Sequence, residues 1–199
     1  MQINIDKKTG LLLSIIAALV LVIAFISFGS QEDEHNGRHE MGMQNKDMKK
    51  FAISGSDQMF LQMMIPHHEQ AVEMSELAIA KSNNAEILKL ATQIKDAQSA
   101  EIILMKSWLK DAQMSEHMGH DMDHGMAGMM SPEEMASLKG ATGKEFDNSF
   151  LTSMIAHHEG ALHMIMMISD SNDPNLQRLY TNIAKTQSEE ITLMKKLLS

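Results

Sequence analysis

The sequence predicts an all-α protein, a four-helix bundle built from two repeated helical hairpins and preceded by one N-terminal transmembrane helix. Three observations lead to this prediction: a charge-free apolar segment, an internal repeat, and helical periodicity in every repeated block. Residues 57–74 align with residues 147–164, and residues 94–109 align with residues 183–198. Each copy therefore supplies two helices, and four helices joined as two hairpins form a bundle.

The apolar segment lies near the N-terminus and is long enough to approach the roughly 20 residues that span a bilayer. Basic residues precede it and acidic residues follow it, which places residues 1–10 in the cytoplasm by the positive-inside rule. We expect residues 11–29 to form a transmembrane helix or an uncleaved signal anchor. A cleaved signal peptide is the alternative interpretation. A retained helix leaves a membrane-anchored domain in the periplasm or extracytoplasmic space. A cleaved signal peptide leaves a secreted or periplasmic domain.

Two further regions follow the apolar segment. Residues 30–50 are polar, contain glycine and show no periodicity, which is typical of a flexible linker. Residues 51–199 contain both repeats and are predicted to form the four-helix metal-binding domain, with a Met/His-rich loop at residues 113–130.

Capping signals predict where the helices of this domain begin. Ser56 or Asp57 is expected to cap the first helix, and residues 82–84 form the first hairpin turn. Asp173 before Pro174 is expected to begin the last helix. Between the hairpins, residues 131–134 predict a short helix that ends near residue 140.

Composition excludes several function classes. The 199 residues contain no Cys, so disulfide frameworks, thiolate zinc sites and catalytic cysteines are ruled out. A net charge of −9 argues against nucleic acid as a partner, because that binding depends on Lys and Arg neutralising phosphates. The chain instead contains 21 Met and 10 His, which makes donors for metal ions its most distinctive feature.

Polar residues interrupt the apolar faces of the predicted helices. Folding each hairpin about its turn brings these residues into one layer per hairpin. The role of such a polar layer has two interpretations. Inward His, Gln and Glu can hydrogen-bond one another without metal, or they can surround a bound cation that offsets the cost of burying a carboxylate. The layers comprise Met64, His67, His68, Gln98, Glu101 and Met105 in the first hairpin, and Met154, His157, His158, Gln187, Glu190 and Met194 in the second.

The Met/His-rich loop predicts which metal is bound. Its glycines break any stable helix, so we expect it to be exposed and its methionines to have nothing to pack against. Thioethers suit Cu(I), whereas imidazole serves both Cu(I) and Cu(II), so the predicted metal is copper, with Ag(I) as a mimic. The candidate ligands in the loop are Met114, His117, Met118, His120, Met122, His124, Met126, Met129 and Met130.

The repeated pattern also resembles a known family. Both copies read Asp-x-x-Phe-Leu-x-x-Met-Ile-x-His-His-x-x-Ala-x-x-Met and then Gln-x-x-Glu-Ile-x-x-Met. This pattern is similar to the CopM-like periplasmic copper-binding family, a bacterial domain family of unknown function, over residues 56–199. The resemblance implies a ferritin-like bundle. It also implies metal ligation by Met64, His67, His68, Met74 and Met105, and by Met154, His157, His158, Met164 and Met194.

The leading hypothesis is an extracytoplasmic, non-enzymatic copper-binding protein for sequestration, resistance or handover to a partner that the sequence does not identify. One alternative is a ferritin-like metal-dependent oxidase. Such sites use Glu-x-x-His motifs, and no Glu lies three residues before any His of the two His-His pairs. The other alternative is a membrane-anchored structural or sensory bundle without metal.

Overall fold

The computed structural model describes residues 53–117 and 126–199, which belong to one compact unit, residues 49–199. The predicted cytoplasmic N-terminus, the transmembrane helix and the whole linker therefore lie outside the described residues. The elements are α1 (Gly55–Lys81), α2 (Ala85–Asp111), α3 (Pro132–Gly140), α4 (Gly143–Met164), a 3-10 turn (Ile165–Ile168) and α5 (Pro174–Leu198). The described ranges contain no strand, which confirms the all-α class. None of their helices combines the length and apolarity needed to cross a membrane.

Most of the predicted helix starts agree with the structure. Asn84 caps α2, and Asp173 caps α5 with Pro174 in the first turn. The expected start of α1 is wrong, because Ser54 is its cap. The Ser54 hydroxyl accepts from the Asp57 N–H at 3.1 Å, and the Asp57 carboxylate accepts from the Ser54 N–H at 3.1 Å. Asp57 is thus the reciprocal partner three residues into a capping box, and not the cap itself.

The four long helices form two hairpins, as the repeat predicts. α1 packs against α2, α4 packs against α5, and the hairpins meet mainly through α1 and α4. Matching surface ion pairs connect the helices of each hairpin: Lys106 to Glu69 at 2.8 Å, and Lys195 to Glu159 at 3.0 Å. Such exposed pairs contribute little free energy of folding, but their equivalence shows that the two copies fold alike.

The bundle has two apolar core clusters, one towards each end. The first cluster includes Phe60, Leu61, Met64, Met105, Met164 and Ile183. The second cluster includes Met74, Ile94, Phe150, Leu151, Met154 and Met194. Met64 precedes the His-His pair of α1 and Met164 follows that of α4, yet both lie in the first cluster. The two helices therefore run antiparallel, and the copies are related by an approximate two-fold axis between them.

Candidate metal site

The four histidines of the two His-His pairs lie between the core clusters and have no solvent exposure. Their central pair is His67 of α1 and His157 of α4, whose ring centroids are 3.8 Å apart. The two layers predicted from the separate hairpins thus meet as one histidine layer at the crossing of α1 and α4. The sequence did not predict this contact between the two layers, because a single hairpin carries no information about how the two dock.

The two central histidines donate to backbone carbonyls. Nε2 of His67 lies 3.1 Å from the carbonyl oxygen of Ala127, and Nε2 of His157 lies 2.9 Å from that of His67. Since a carbonyl oxygen can only accept, Nε2 carries the hydrogen in both rings. In the neutral ring the lone pair is therefore on Nδ1.

The two outer histidines donate to carboxylates of the neighbouring helix in the same hairpin. His68 Nε2 lies 2.8 Å from Glu101 Oε2, and His158 Nε2 lies 2.8 Å from Glu190 Oε2. These glutamates come from the core-facing positions of α2 and α5 that the sequence predicted to lie level with the histidines. That part of the predicted layer is confirmed.

The other ring nitrogen defines what the layer can do chemically. Nδ1 of all four histidines is buried and has no hydrogen-bond partner among the described residues. Metal-binding histidines typically donate one ring N–H to a carboxylate or carbonyl, which orients the ring and leaves the second nitrogen for the metal. The histidine layer has this arrangement four times. Buried amide atoms of Gln98 and Gln187 also lack partners in the described part of the chain.

Burial keeps the central pair unprotonated. It lowers the pKa of His67 from 6.5 to about 3, and the nearby His68 adds to this shift while the bond to Ala127 opposes it. Burial, followed by the neighbouring His67, holds the pKa of His157 well below its ordinary value. Desolvation dominates because a charged imidazolium loses its hydration in the bundle. Both rings can therefore present a lone pair even in acidic solution.

Three buried methionines of the long helices flank the histidine layer on each side, and Met135 of α3 is a further buried methionine of the second cluster. Each set combines two thioethers from one hairpin with one from the other, and the repeat exchanges the two sets. All six side chains are nearly or completely buried. The first set is Met64, Met105 and Met164, and the second is Met154, Met194 and Met74.

A segment that precedes α3 closes the layer on one side. This docked segment, residues 126–131, supplies the Ala127 carbonyl that accepts from His67. Gln70 holds its other end, since its amide donates to the Met130 carbonyl at 2.9 Å and accepts from the Met130 N–H at 2.7 Å. A side chain on Gly160 of α4 would collide with the Ala127 carbonyl. Glycine at that position therefore permits the close approach.

The described residues contain no group of three or more His, Asp or Glu side chains that could hold a metal ion by themselves. Each imidazole already donates to its own acceptor, and the core clusters on either side contain thioethers as further donors. Sulfur donors are soft, so the donor set of the bundle fits a soft ion such as Cu(I) better than a hard one.

The family of the protein follows from comparison with known sequences. The model of the family described as "Domain of unknown function (DUF305)" matches residues 57–198, which include both repeats. The chain belongs to the DUF305 family. None of the curated proteins compared with it matches.

Solved structures agree with this assignment. A DUF305 protein from Streptomyces coelicolor, described as secreted, is 31% identical, with a TM-score of 0.68 over 74% of this chain and 92% of that chain. A DUF305 fragment from Deinococcus radiodurans is 28% identical, with a TM-score of 0.68 over 73% of this chain and 97% of that one. CopM in its Cu(I)-bound form is 32% identical, with a TM-score of 0.59 over 70% and 93% of the two chains.

The described ends of the Met/His-rich loop of this DUF305 domain are less exposed than the sequence predicted. Met114 and Met126 pack against the first core cluster, and Met130 packs against the second. The expectation that loop methionines have nothing to pack against is therefore wrong for these three. Met129 is half-buried and His117 is exposed. The remaining loop candidates, Met118, His120, Met122 and His124, lie outside the described residues.

Sequence reasoning missed the residues that hold the docked segment. The acceptor for His67 is the backbone carbonyl of Ala127, so no side-chain motif in the sequence could predict it. A signal did exist at Gln70 and Gly160, which occupy equivalent positions after the His-His-Glu of each copy yet differ in type. A departure from an otherwise matching repeat marks a place where the two halves have different neighbours.

Proposed function

We propose that this DUF305 domain binds copper outside the cytoplasm, as Cu(I) or Cu(II) with Ag(I) as a mimic, and sequesters it or hands it over without catalysing a reaction. One observation carries the proposal: four buried imidazoles are oriented through Nε2–H while their Nδ1 atoms have no partner in the described structure. A layer that served only to hydrogen-bond itself would satisfy these atoms, since unpaired buried polar groups cost free energy.

The residues of the histidine layer and the methionine sets beside it have different roles in the proposed binding. The four Nδ1 lone pairs are the nitrogen donors, and the two methionine sets are the soft donors on either side. Glu101 and Glu190 orient two of the rings and place negative charge beside the layer. Negative charge there offsets the cost of bringing a cation out of water. Neutral thioethers exchange as ligands without proton release, which suits storage and transfer of Cu(I).

Relatives support both the ligand and the location. CopM structures exist in Cu(I)-bound, Cu(II)-bound and Ag-bound forms, at 32–34% identity to this chain. The similar Streptomyces coelicolor protein is described as secreted. We extend both properties to this chain, and we propose that residues 11–29 anchor the domain in the membrane. Imidazole and thioether donors are the shared chemistry on which this extension depends.

The test is anaerobic titration of the full-length chain with Cu(I) against a chromophoric chelator, together with Cu(II) titration in air. Three proteins are compared: the natural chain, a layer variant H67Q/H157Q, and a loop variant M118S/H120N/M122S/H124N. Glutamine retains an N–H donor, and circular dichroism verifies that the helices persist. We expect the layer variant to lose Cu(II) affinity and the loop variant to retain the sites of the bundle.

Two outcomes oppose the proposal. If the natural chain ignores both Cu(I) and Ag(I) at micromolar concentration, the domain is not a copper-binding protein. If the folded layer variant binds both oxidation states like the natural chain, the histidine layer is structural and copper binds elsewhere.

A further inference from the structure

Apart from Met135 of α3, four methionines of the described residues lie outside the repeated pattern and outside the sites described above. Met59 and Met63 are on α1, and Met166 and Met167 are in the 3-10 turn that follows α4. We call these four residues the methionine patch. They belong to the end of the bundle that contains the first core cluster.

The fold brings the two halves of the methionine patch to one level. α1 and α4 run antiparallel and cross at His67 and His157. A residue eight positions before His67 therefore lies level with a residue eight positions after His157. Met59 is thus level with the beginning of the 3-10 turn, and that turn packs on α1. Met63 and Met167 both contact the first core cluster.

Exposure in the methionine patch is graded. Met59 is 40% exposed and Met166 is 57% exposed, so burial of apolar surface does not account for them. Met63 and Met167 are half-buried against the cluster. The first buried methionine set belongs to the same cluster. At this end, thioethers are therefore present at the surface, at its half-buried edge and in the core.

The second copy of the repeat provides an internal comparison. The positions equivalent to Met59 and Met63 are Ser149 and Ser153, and those equivalent to Met166 and Met167 are Glu76 and Leu77. At the other end the equivalent positions of the repeat thus carry no methionine, and the partly buried thioether that packs on the second cluster is Met130 of the docked segment. Filling the core does not require methionine at these positions, because the equivalent helices pack without it.

We propose that the methionine patch is a surface site where a soft monovalent cation, Cu(I) or Ag(I), first binds before it passes inwards. The inference rests on the proposed function, since it supplies the route to the sites of the bundle. Thioethers bind such ions without losing a proton, so binding at the patch requires no titratable group. Ion uptake occurs at one end of a bundle whose interior is nearly symmetric.

The test follows Ag(I) binding at individual residues, because Ag(I) is not reduced or oxidised during the titration. The full-length chain is labelled with carbon-13 in the methionine methyl groups and titrated in detergent micelles. We expect the methyl signals of the methionine patch to shift at the lowest Ag(I) ratios. The signals of the two buried methionine sets follow at higher ratios, and that of Met135, buried in α3, stays constant.

A variant series measures the rate. M59S/M63S/M166E/M167L installs the residues of the second copy, and M59S/M166E changes only the two exposed positions in case the first variant does not fold. M135L is the control. We expect the initial rate of Ag(I) uptake to fall about tenfold in the patch variants, equivalent to about 1.4 kcal/mol, with unchanged final capacity of the buried sites.

The outcomes separate the two proposals. If the natural chain takes up Ag(I) but the buried methyl signals shift first and the patch variants are not slower, the methionine patch is not a site of uptake. If no methionine signal responds to Ag(I), the proposed copper function fails as well.

Discussion

At the scale of single residues, burial changes what histidine does. An exposed imidazole has a pKa near 6.5 and gains a proton in mildly acidic surroundings. His67 and His157 lie where that proton would cost hydration, so both stay neutral in the folded chain. The lone pairs on Nδ1 are retained at the expense of acid stability. The sequence could not reveal this shift, because the second ring that buries each histidine comes from the other hairpin.

Acid should therefore destabilise the metal-free protein through the central histidines. Below pH 6.5 the unfolded chain binds a proton at His67 that the folded chain rejects until about pH 3. The resulting stability is fully present above pH 6.5 and is lost as pH falls, at about 1.4 kcal/mol per pH unit for this residue. We expect H67Q to unfold with a shallower pH dependence than the natural chain. Urea unfolding between pH 4.5 and 8, with a chelator present, measures the difference.

The matched control for this prediction is H163Q, since His163 is an exposed histidine of the same helical domain. Its unfolding free energy should follow that of the natural chain across the series. Parallel curves for H67Q and the natural chain would show that His67 exchanges its proton equally in both states, contrary to the lowered pKa.

At the scale of elements, the docked segment is what distinguishes the two halves. Gly128 adopts a φ of +83°, and a side chain there would collide with the Ala156 carbonyl. Gly160 leaves room on α4, while Gln70 on α1 binds the segment through both amide atoms. His67 obtains its acceptor from this segment, whereas the equivalent His157 uses the carbonyl of His67. The orientation of one histidine in the layer thus depends on a connecting segment.

Replacing Gly160 by Ala should displace the docked segment while leaving the bundle folded. The added Cβ meets backbone atoms of Ala127, which cannot turn aside. Overpacking of this kind costs about 1–3 kcal/mol, against about 1 kcal/mol that Ala gains over Gly in a helix. We expect the Met130 amide, held by Gln70, to exchange hydrogen about tenfold faster, a change of about 1.4 kcal/mol.

G140A is the comparison for that experiment, because a side chain on Gly140 meets nothing nearby. It should leave hydrogen exchange in residues 126–131 unchanged. Equal protection of the Met130 amide in G160A and in the natural chain would mean that the segment does not depend on the close approach at Gly160.

At the scale of the whole molecule, the repeat determined how much the sequence could predict. It predicted both hairpins and the level of His68 with Glu101, which the 2.8 Å bond confirms. The docking of the hairpins was not predictable, because the contact of His67 with His157 joins two faces that no single helical wheel relates. The packing of Met114 was not predictable either, since a polar, glycine-bearing loop is typical of exposed chain.

The approximate two-fold axis leads to different expectations for the amount of copper that the proposed sites bind and for the rate of its uptake. The two buried methionine sets are equivalent under the repeat and flank a shared histidine layer. The methionine patch and the docked segment are not repeated. We therefore expect equilibrium binding of Cu(I) to be nearly symmetric between the two ends, even though we propose that the ion first binds at one end.

That symmetry is testable with M64L/M105L at one end and M154L/M194L at the other. All four side chains have no exposure, and Leu for Met conserves volume, so each change should cost less than about 1.5 kcal/mol of stability. We expect both double variants to lose similar amounts of bound Cu(I), measured by chelator competition and elemental analysis. M135L, the same change at a buried methionine of the second cluster that belongs to neither set, should lose none. Loss of all Cu(I) in one double variant and none in the other would show that one methionine set alone binds copper.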